Sequence, residues 1–265
     1  MRALVMALSL ALPAAAQEVG PDALDGLAAD IVVLGEVHDN PQHHLNQARA
    51  VAALEPAALV FEMLTEDQAA RATHAARASA ETLGAALDWE AGGWPDFAMY
   101  WPIFAAAPDA RIVGAAVPRA KARDVFETPL ATVFGPDAGR YGLNQPLDPA
   151  EQEIREAEQM AAHCDALPEA MLPGMVAAQR LRDGALARAA LTALAETGGP
   201  VAVITGSGHA RTDRGVPALV GRAAPEVSVL SLGQVERPAE PDQPFDLWIV
   251  TDPTPRDDPC AAFRG

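Results

Sequence analysis

The chain is short of cysteine, of positive charge, of aromatic residues and of long apolar runs. Two cysteines in 265 residues allow at most one internal disulfide. Only 19 Lys and Arg stand against 36 Asp and Glu, for a net charge of −17. So acidic a surface makes nucleic acid and anionic lipid poor partners. A local basic cluster could still hold a small anion, because screening confines each charge's reach to about 10 Å at moderate salt. Aromatic residues make up 5% of the chain, and with alanine abundant this favours helices packed on a sheet. No apolar run reaches the roughly 20 residues that a membrane-spanning helix requires. What is present is a chain half apolar, long enough to bury a full core as one large domain.

The segment Met1 to Ala16 has one basic residue, an apolar stretch of about ten residues and an Ala-x-Ala end, as a secretory signal requires. Cleavage is expected after Ala16, leaving residues 17–265 as the mature protein. No cysteine follows that point to accept a lipid, so the mature protein is expected to be soluble and not lipidated, in the periplasm or secreted. Such a compartment is oxidising. Cys164 and Cys260 are therefore expected to pair and staple the C-terminal tail to the helical region, two unrelated thiols being the alternative.

Apolar β-branched runs at Ile31–Leu34, Leu59–Met63, Arg111–Val117, Val201–Thr205, Val227–Leu232 and Phe245–Val250 read as strands. Between them lie helical stretches: Pro41–Leu54, one opened by a Thr65/Gln68 capping box and running to about Ser79, one opened by Asp148-Pro149, Pro168–Glu196 and Gly215–Ala223. Strands alternating with helices give an α/β fold with a mostly parallel sheet and right-handed crossovers. The helical insertions at about 65–107 and 125–197 exceed what the two faces of one sheet can hold. Some of them are expected to cap the carboxyl edge.

Chemistry gathers at three strand ends. Ile31–Leu34 stops abruptly at Gly35-Glu36-Val37-His38-Asp39, before Asn40 and Pro41 open a helix. Val201–Thr205 ends in Gly206-Ser207-Gly208-His209, with the same Gly-x-x-His spacing, and the run through Phe61 ends in Glu62. Side chains at the carboxyl ends of neighbouring parallel strands converge on one crevice. Two imidazoles and two carboxylates gathered there could bind a first-row metal such as zinc or manganese, or let a carboxylate act as general base beside a histidine. The plainer alternative is structural: a Glu can cap a helix, and a lone His can be a satisfied core residue. Asp39 reads as a turn residue, His43 and His44 as an exposed helix face, and His74 and His163 as surface or packing residues.

The stretch Leu34-Gly-Glu-Val-His-Asp-Asn-Pro-Gln-His-His44, with Phe61-Glu62-Met63 and Gly206-Ser-Gly-His209, resembles the ChaN family of bacterial haem-binding uptake proteins. That family belongs to a superfamily with the Tiki proteases and erythromycin-esterase-like hydrolases. The resemblance spans roughly residues 25 to 235 and implies an exported protein that holds haem or iron on its way into the cell. Haem asks for an apolar slot, an iron ligand and cations for its propionates. The aromatic stretch Trp89 to Phe104 offers area and Tyr100, with His38 and His209 as other candidate ligands, although core packing would also account for those aromatics. Arg119, Lys121 and Arg123 follow a strand end and could face the same crevice, against a reading as a solvated helix face. The superfamily implies the alternative of a peptidase or esterase using Glu36, His38, Glu62 and His209. Candidate partners are a second copy of the chain, an outer-membrane haem receptor or transport components.

Overall fold

A computed structural model describes residues 16–258 and 260–261. The expected signal segment lies almost wholly outside them. Seven parallel strands form one sheet: β1 (Gln17–Glu18), β2 (Ile31–Glu36), β3 (Ala58–Phe61), β4 (Arg111–Gly114), β5 (Val201–Gly206), β6 (Val229–Glu236) and β7 (Leu247–Thr251). Their spatial order is β1-β7-β6-β2-β5-β3-β4. The helices are α1 (Pro41–Leu54), α2 (Glu66–Ala70), α3 (Ala80–Leu87), α4 (Phe97–Ala106), α5 (Arg119–Asp124), α6 (Leu130–Phe134), α7 (Pro149–Ala162), α8 (Leu172–Thr197), α9 (Ser207–Ala210) and α10 (Val216–Ala223). None of them is long and apolar enough to cross a membrane.

The strands read as apolar runs because both of their faces are covered. Every residue of β2, β3 and β5 is buried. Side chains alternate across a strand, and the core divides accordingly. Ile31, Val33, Val60, Val201 and Val203 face the layer of α8 and α10. Val32, Leu34, Leu59, Phe61 and Ile204 face the layer of α1 and α4. Of the inserted helices, α4 lies beside α1, and α8 covers β3 and β5. The 26 residues of α8 span about 39 Å at 1.5 Å per residue, roughly twice the length of a six-residue strand. Asp183 of α8 meets His209 just past the end of β5, so α8 reaches the carboxyl edge of the sheet.

The helix expected from Thr65 to about Ser79 is much shorter. The capping box of Thr65 and Gln68 is present, but α2 stops at Ala70. Arg77 donates to the carbonyls of Ala107 and Ala110 and draws the chain aside, and a second box at Ser79 and Thr82 starts α3. The β2–α1 junction forms as its sequence requires: Asn40 accepts from the Gln42 N–H at 3.0 Å, and Pro41 stands at the first helical position. Cys164 and Cys260 form a disulfide that ties the tail to the end of α7.

Candidate functional site

The order of strands places the reversal point at β2, which pairs with β5 on one side and β6 on the other. In open parallel sheets such a point is where ligands bind. Glu36 of β2 pairs with Gly206 of β5 and Gly35 with Thr205, so the two Gly-x-x-His motifs lie side by side, offset by one residue. The two histidines consequently meet different surroundings. His38 turns to Glu36 and to Tyr100 of α4, whereas His209 turns to Glu62 and to Asp183 of α8. Gly206 sits between them: a Cβ there would stand 3.1 Å from His38 Nε2 and 3.7 Å from Glu62 Oε2. Glu36, His38, Glu62 and His209 are thus brought together.

Glu36 is buried, and its Oε1 accepts from the Tyr100 hydroxyl at 2.7 Å and from His38 Nδ1 at 2.8 Å. Burial pushes this carboxyl up, but the hydrogen bond from His38 and the proximity of His44 outweigh it and hold it below the usual range. Burial likewise pushes His38 down, and the bond to Glu36 with the charges of Glu62 and Glu36 leaves it raised. The His38 side chain is 34% exposed. With Nδ1 committed to Glu36, its Nε2 has no hydrogen-bond partner among the described residues. A carboxylate behind one ring nitrogen fixes the tautomer and increases the basicity of the other, the arrangement found behind metal-ligating histidines. Trp94 meets the ring edge-on, with centroids 5.0 Å apart.

His209 is held differently. Its Nδ1 lies 2.6 Å from Asp183 Oδ1 and its Nε2 3.5 Å from Glu62 Oε1. Burial pushes its pKa down, but the two carboxylates raise it to about 10, so at neutral pH it is an imidazolium between two anions. Burial raises Glu62, and the charge of His209 overcomes this and holds it far below the usual carboxylate range. Its Oε2 also accepts from the Thr205 hydroxyl at 2.7 Å and the Gly206 N–H at 2.8 Å. Asp183, which no sequence motif marks, completes this group. The available signal was an acidic residue on the inward face of an alanine-rich helix, in phase with the buried Val176, Ala187 and Ala190.

His43 and His44, expected on an exposed face, are fully buried. The inward face of α1 is polar: His43, His44, Asn46 and Gln47 all point in. His43 Nδ1 accepts from the Val37 N–H at 2.8 Å and its Nε2 meets the Thr251 hydroxyl at 2.7 Å. Burial lowers its pKa to about 4, so it is neutral. His44 Nε2 donates to the His38 carbonyl at 2.8 Å. Its Nδ1 stands 3.3 Å from Glu36 Oε2, but the two are misaligned and neither makes a well-formed hydrogen bond. The pair brackets the backbone that carries His38. Asp39 serves the turn as expected and also receives Arg256, two bonds at 2.8 Å each.

Of the other candidate ligands, Tyr100 is fully buried, and burial with the Glu36 charge pushes its hydroxyl far above its usual value. Its hydroxyl is engaged by Glu36. The aromatics around it, Trp89, Phe97 and Phe104, form core contacts. Arg119, Lys121 and Arg123 are all exposed, and they diverge. Arg119 reaches the turn of Trp94, its Nη2 lying 3.8 Å from where a Cβ on Gly93 would stand. Lys121 lines a separate recess along the open edge of β4 with Arg111, Arg188 and Glu196. Among the described residues no hydrogen bond or ion pair ties Arg123 to the site. His74 is exposed, and His163 Nδ1 pairs with the Gln159 carbonyl at 2.8 Å, neither near the crevice residues. Among the described residues no three His, Cys, Asp or Glu side chains are arranged to hold a metal ion.

Comparison with known proteins bears on the family and the fold. A family model described as haem-binding uptake, Tiki superfamily, ChaN matches residues 25–220. A structure of ChaN from Campylobacter jejuni, described as showing cofacial haem binding, is 19% identical, with a TM-score of 0.62 over 85% of this chain and 88% of that one. The type III effector HopBA1 is 17% identical, with a TM-score of 0.47 over 89% and 94% of the two chains. No curated protein matches the sequence significantly.

Proposed function

From the premise that this chain belongs to the ChaN family of haem-binding uptake proteins, we propose that it binds haem as cargo at the carboxyl edge of the sheet, with His38 Nε2 as the protein's ligand to the iron. The observation that carries this reading is the state of His38. It is the one imidazole of the site whose outer nitrogen is partnerless and open to solvent, while the inner nitrogen is fixed to a buried carboxylate. His209 has both nitrogens engaged by carboxylates, and Tyr100 is sealed beneath Glu36. A carboxylate-backed imidazole is a strong donor to ferric iron. Trp94 offers an apolar ring beside it, and Arg119, which reaches the neighbouring Gly93, is the cation we assign to a propionate.

The same reading makes the protein a carrier in haem or iron uptake, exported behind residues 1–16. The Cys164–Cys260 disulfide, of a kind that oxidising compartments sustain, supports export. The test is an absorbance titration of the purified protein with haemin. A saturable Soret shift in the wild type that is lost or blue-shifted in His38→Ala, with the fold intact by circular dichroism, is the expected result. A titration unchanged by His38→Ala would remove His38 from the role, and no shift in the wild type would overturn the reading as a whole.

A further inference from the structure

The turn that carries His38 is fastened by the other end of the chain. Past β7 the tail crosses the carboxyl edge. Asn40 Nδ2 donates to the Asp252 carbonyl at 3.1 Å and to Glu236 Oε1 at 2.7 Å, and the Thr254 N–H reaches the same Glu236 oxygen at 3.1 Å. Arg256 then forks twice. It gives two bonds to Asp39 at 2.8 Å each, and two to Glu236 at 2.7 and 2.8 Å. Four residues further on, Cys260 is joined to Cys164, at the end of α7 and 96 residues away in sequence. Asp39 follows His38 directly, so the strap holds the residue next to the proposed ligand, and Asn40 beneath the strap is 1% exposed.

We propose that Arg256 is a positioning residue for His38 and that the Cys164–Cys260 disulfide sets how firmly it holds, so that the site grips haem more tightly in the oxidised protein. The inference rests on the reading of His38 given above. Its physical basis is the weakness of the individual contacts. The Arg256 and Asp39 side chains are 33% and 42% exposed, against 14% for Glu236, so the link to Asp39 is the open one and is worth little when the tail is free to leave. A covalent anchor four residues away changes that, because it tethers the tail on both sides of Arg256 and so raises the effective concentration of the guanidinium at its carboxylates. Both cysteines are only half-buried, so a reductant can reach them. Reduction by a dithiol transfers two electrons and two protons: the dithiol becomes a disulfide, Cys164 and Cys260 become thiols, and the tail is tethered only at β7. A protein still in a reducing compartment would then hold a loosened site.

The test compares wild type, Arg256→Ala, Arg256→Lys and Cys164→Ser/Cys260→Ser as full chains, by two measurements. The first, without ligand, is amide hydrogen exchange across residues 37–40. The second is the rate at which ferric haem passes to excess apomyoglobin, read from the Soret band. Exchange and haem loss should both rise about tenfold in Arg256→Ala and in the double serine variant, with Arg256→Lys in between because it keeps the charge without the fork. Faster exchange in the tail with no change at residues 37–40 would overturn the proposal, as would a loosened turn with unaltered haem release. If haem does not bind the wild type, the reading of the site fails, while the exchange data still show whether the disulfide governs the turn.

Discussion

Replacing Asp183 by Asn keeps the volume and an acceptor for His209 Nδ1 and removes one charge, which isolates the electrostatic part of the Asp183–His209–Glu62 group. His209 rises from 6.5 to about 10 in the folded protein. At about 1.4 kcal/mol per unit, the surroundings as a whole, the two carboxylates less the penalty of burial, favour the imidazolium by about 5 kcal/mol net. Glu62 remains in the variant, and relaxation of the site lowers the loss. A loss of about 2 kcal/mol at pH 7 is therefore expected for Asp183→Asn. The folded value lies above the unfolded one, so this stabilisation is complete below pH 6.5 and is lost as pH rises through about 10. The gap between wild type and variant should accordingly close above that pH, where His209 is neutral in both. Urea unfolding at pH 7 and pH 10.5 is the assay, and a midpoint shift of about 1 M or somewhat less is expected at the lower pH. A gap under about 0.5 kcal/mol at pH 7, or one just as large at pH 10.5, would refute the reasoning.

Two further substitutions separate support from ligation. Tyr100→Phe removes a buried donor to Glu36 and should lower stability by about 1–2 kcal/mol in urea unfolding. It should leave the Soret band in place, and a lost band would return Tyr100 to the list of ligands. Gly206→Ala puts a methyl group 3.1 Å from His38 Nε2 in a backbone conformation, φ −61° and ψ 146°, that alanine adopts freely. Haem affinity should fall about tenfold with little change in melting temperature, since only the placement of the ring is disturbed. Unchanged affinity would mean that the His38 ring does not need to lie over Gly206 to bind.

Much of the fold was legible because the parallel strands are buried on both faces and read as unbroken apolar runs. Ile31–Leu34 and Val201–Thr205 could hardly be anything else, and the glycines that end them marked where Glu36, His38, Glu62 and His209 gather. Helix caps were equally plain at Asn40, Thr65 and Asp148, whose side chains bond the backbone within a turn and so need no tertiary context. What the sequence did not reveal depends on pairing at a distance. His43 and His44 looked exposed because hydrophobic periodicity assigns polar residues to water, and α1 reverses that rule by turning its polar face inward. The burial of Tyr100 was equally hidden, because phenol chemistry alone cannot tell an open hydroxyl from one bonded to a carboxylate 64 residues away. Asp183 and Arg256 lie in no motif, and only the crossing of α8 and the tail over the strand ends gives them a role.

The central claim is that His38 Nε2 binds the iron, and pulsed electron paramagnetic resonance of the ferric complex addresses it most directly. A nitrogen coupling from one imidazole is expected, shifted in frequency when histidine is labelled with ¹⁵N, and absent in His38→Ala. A ¹⁵N-labelled complex with no histidine coupling, or one whose coupling survives His38→Ala, would contradict it.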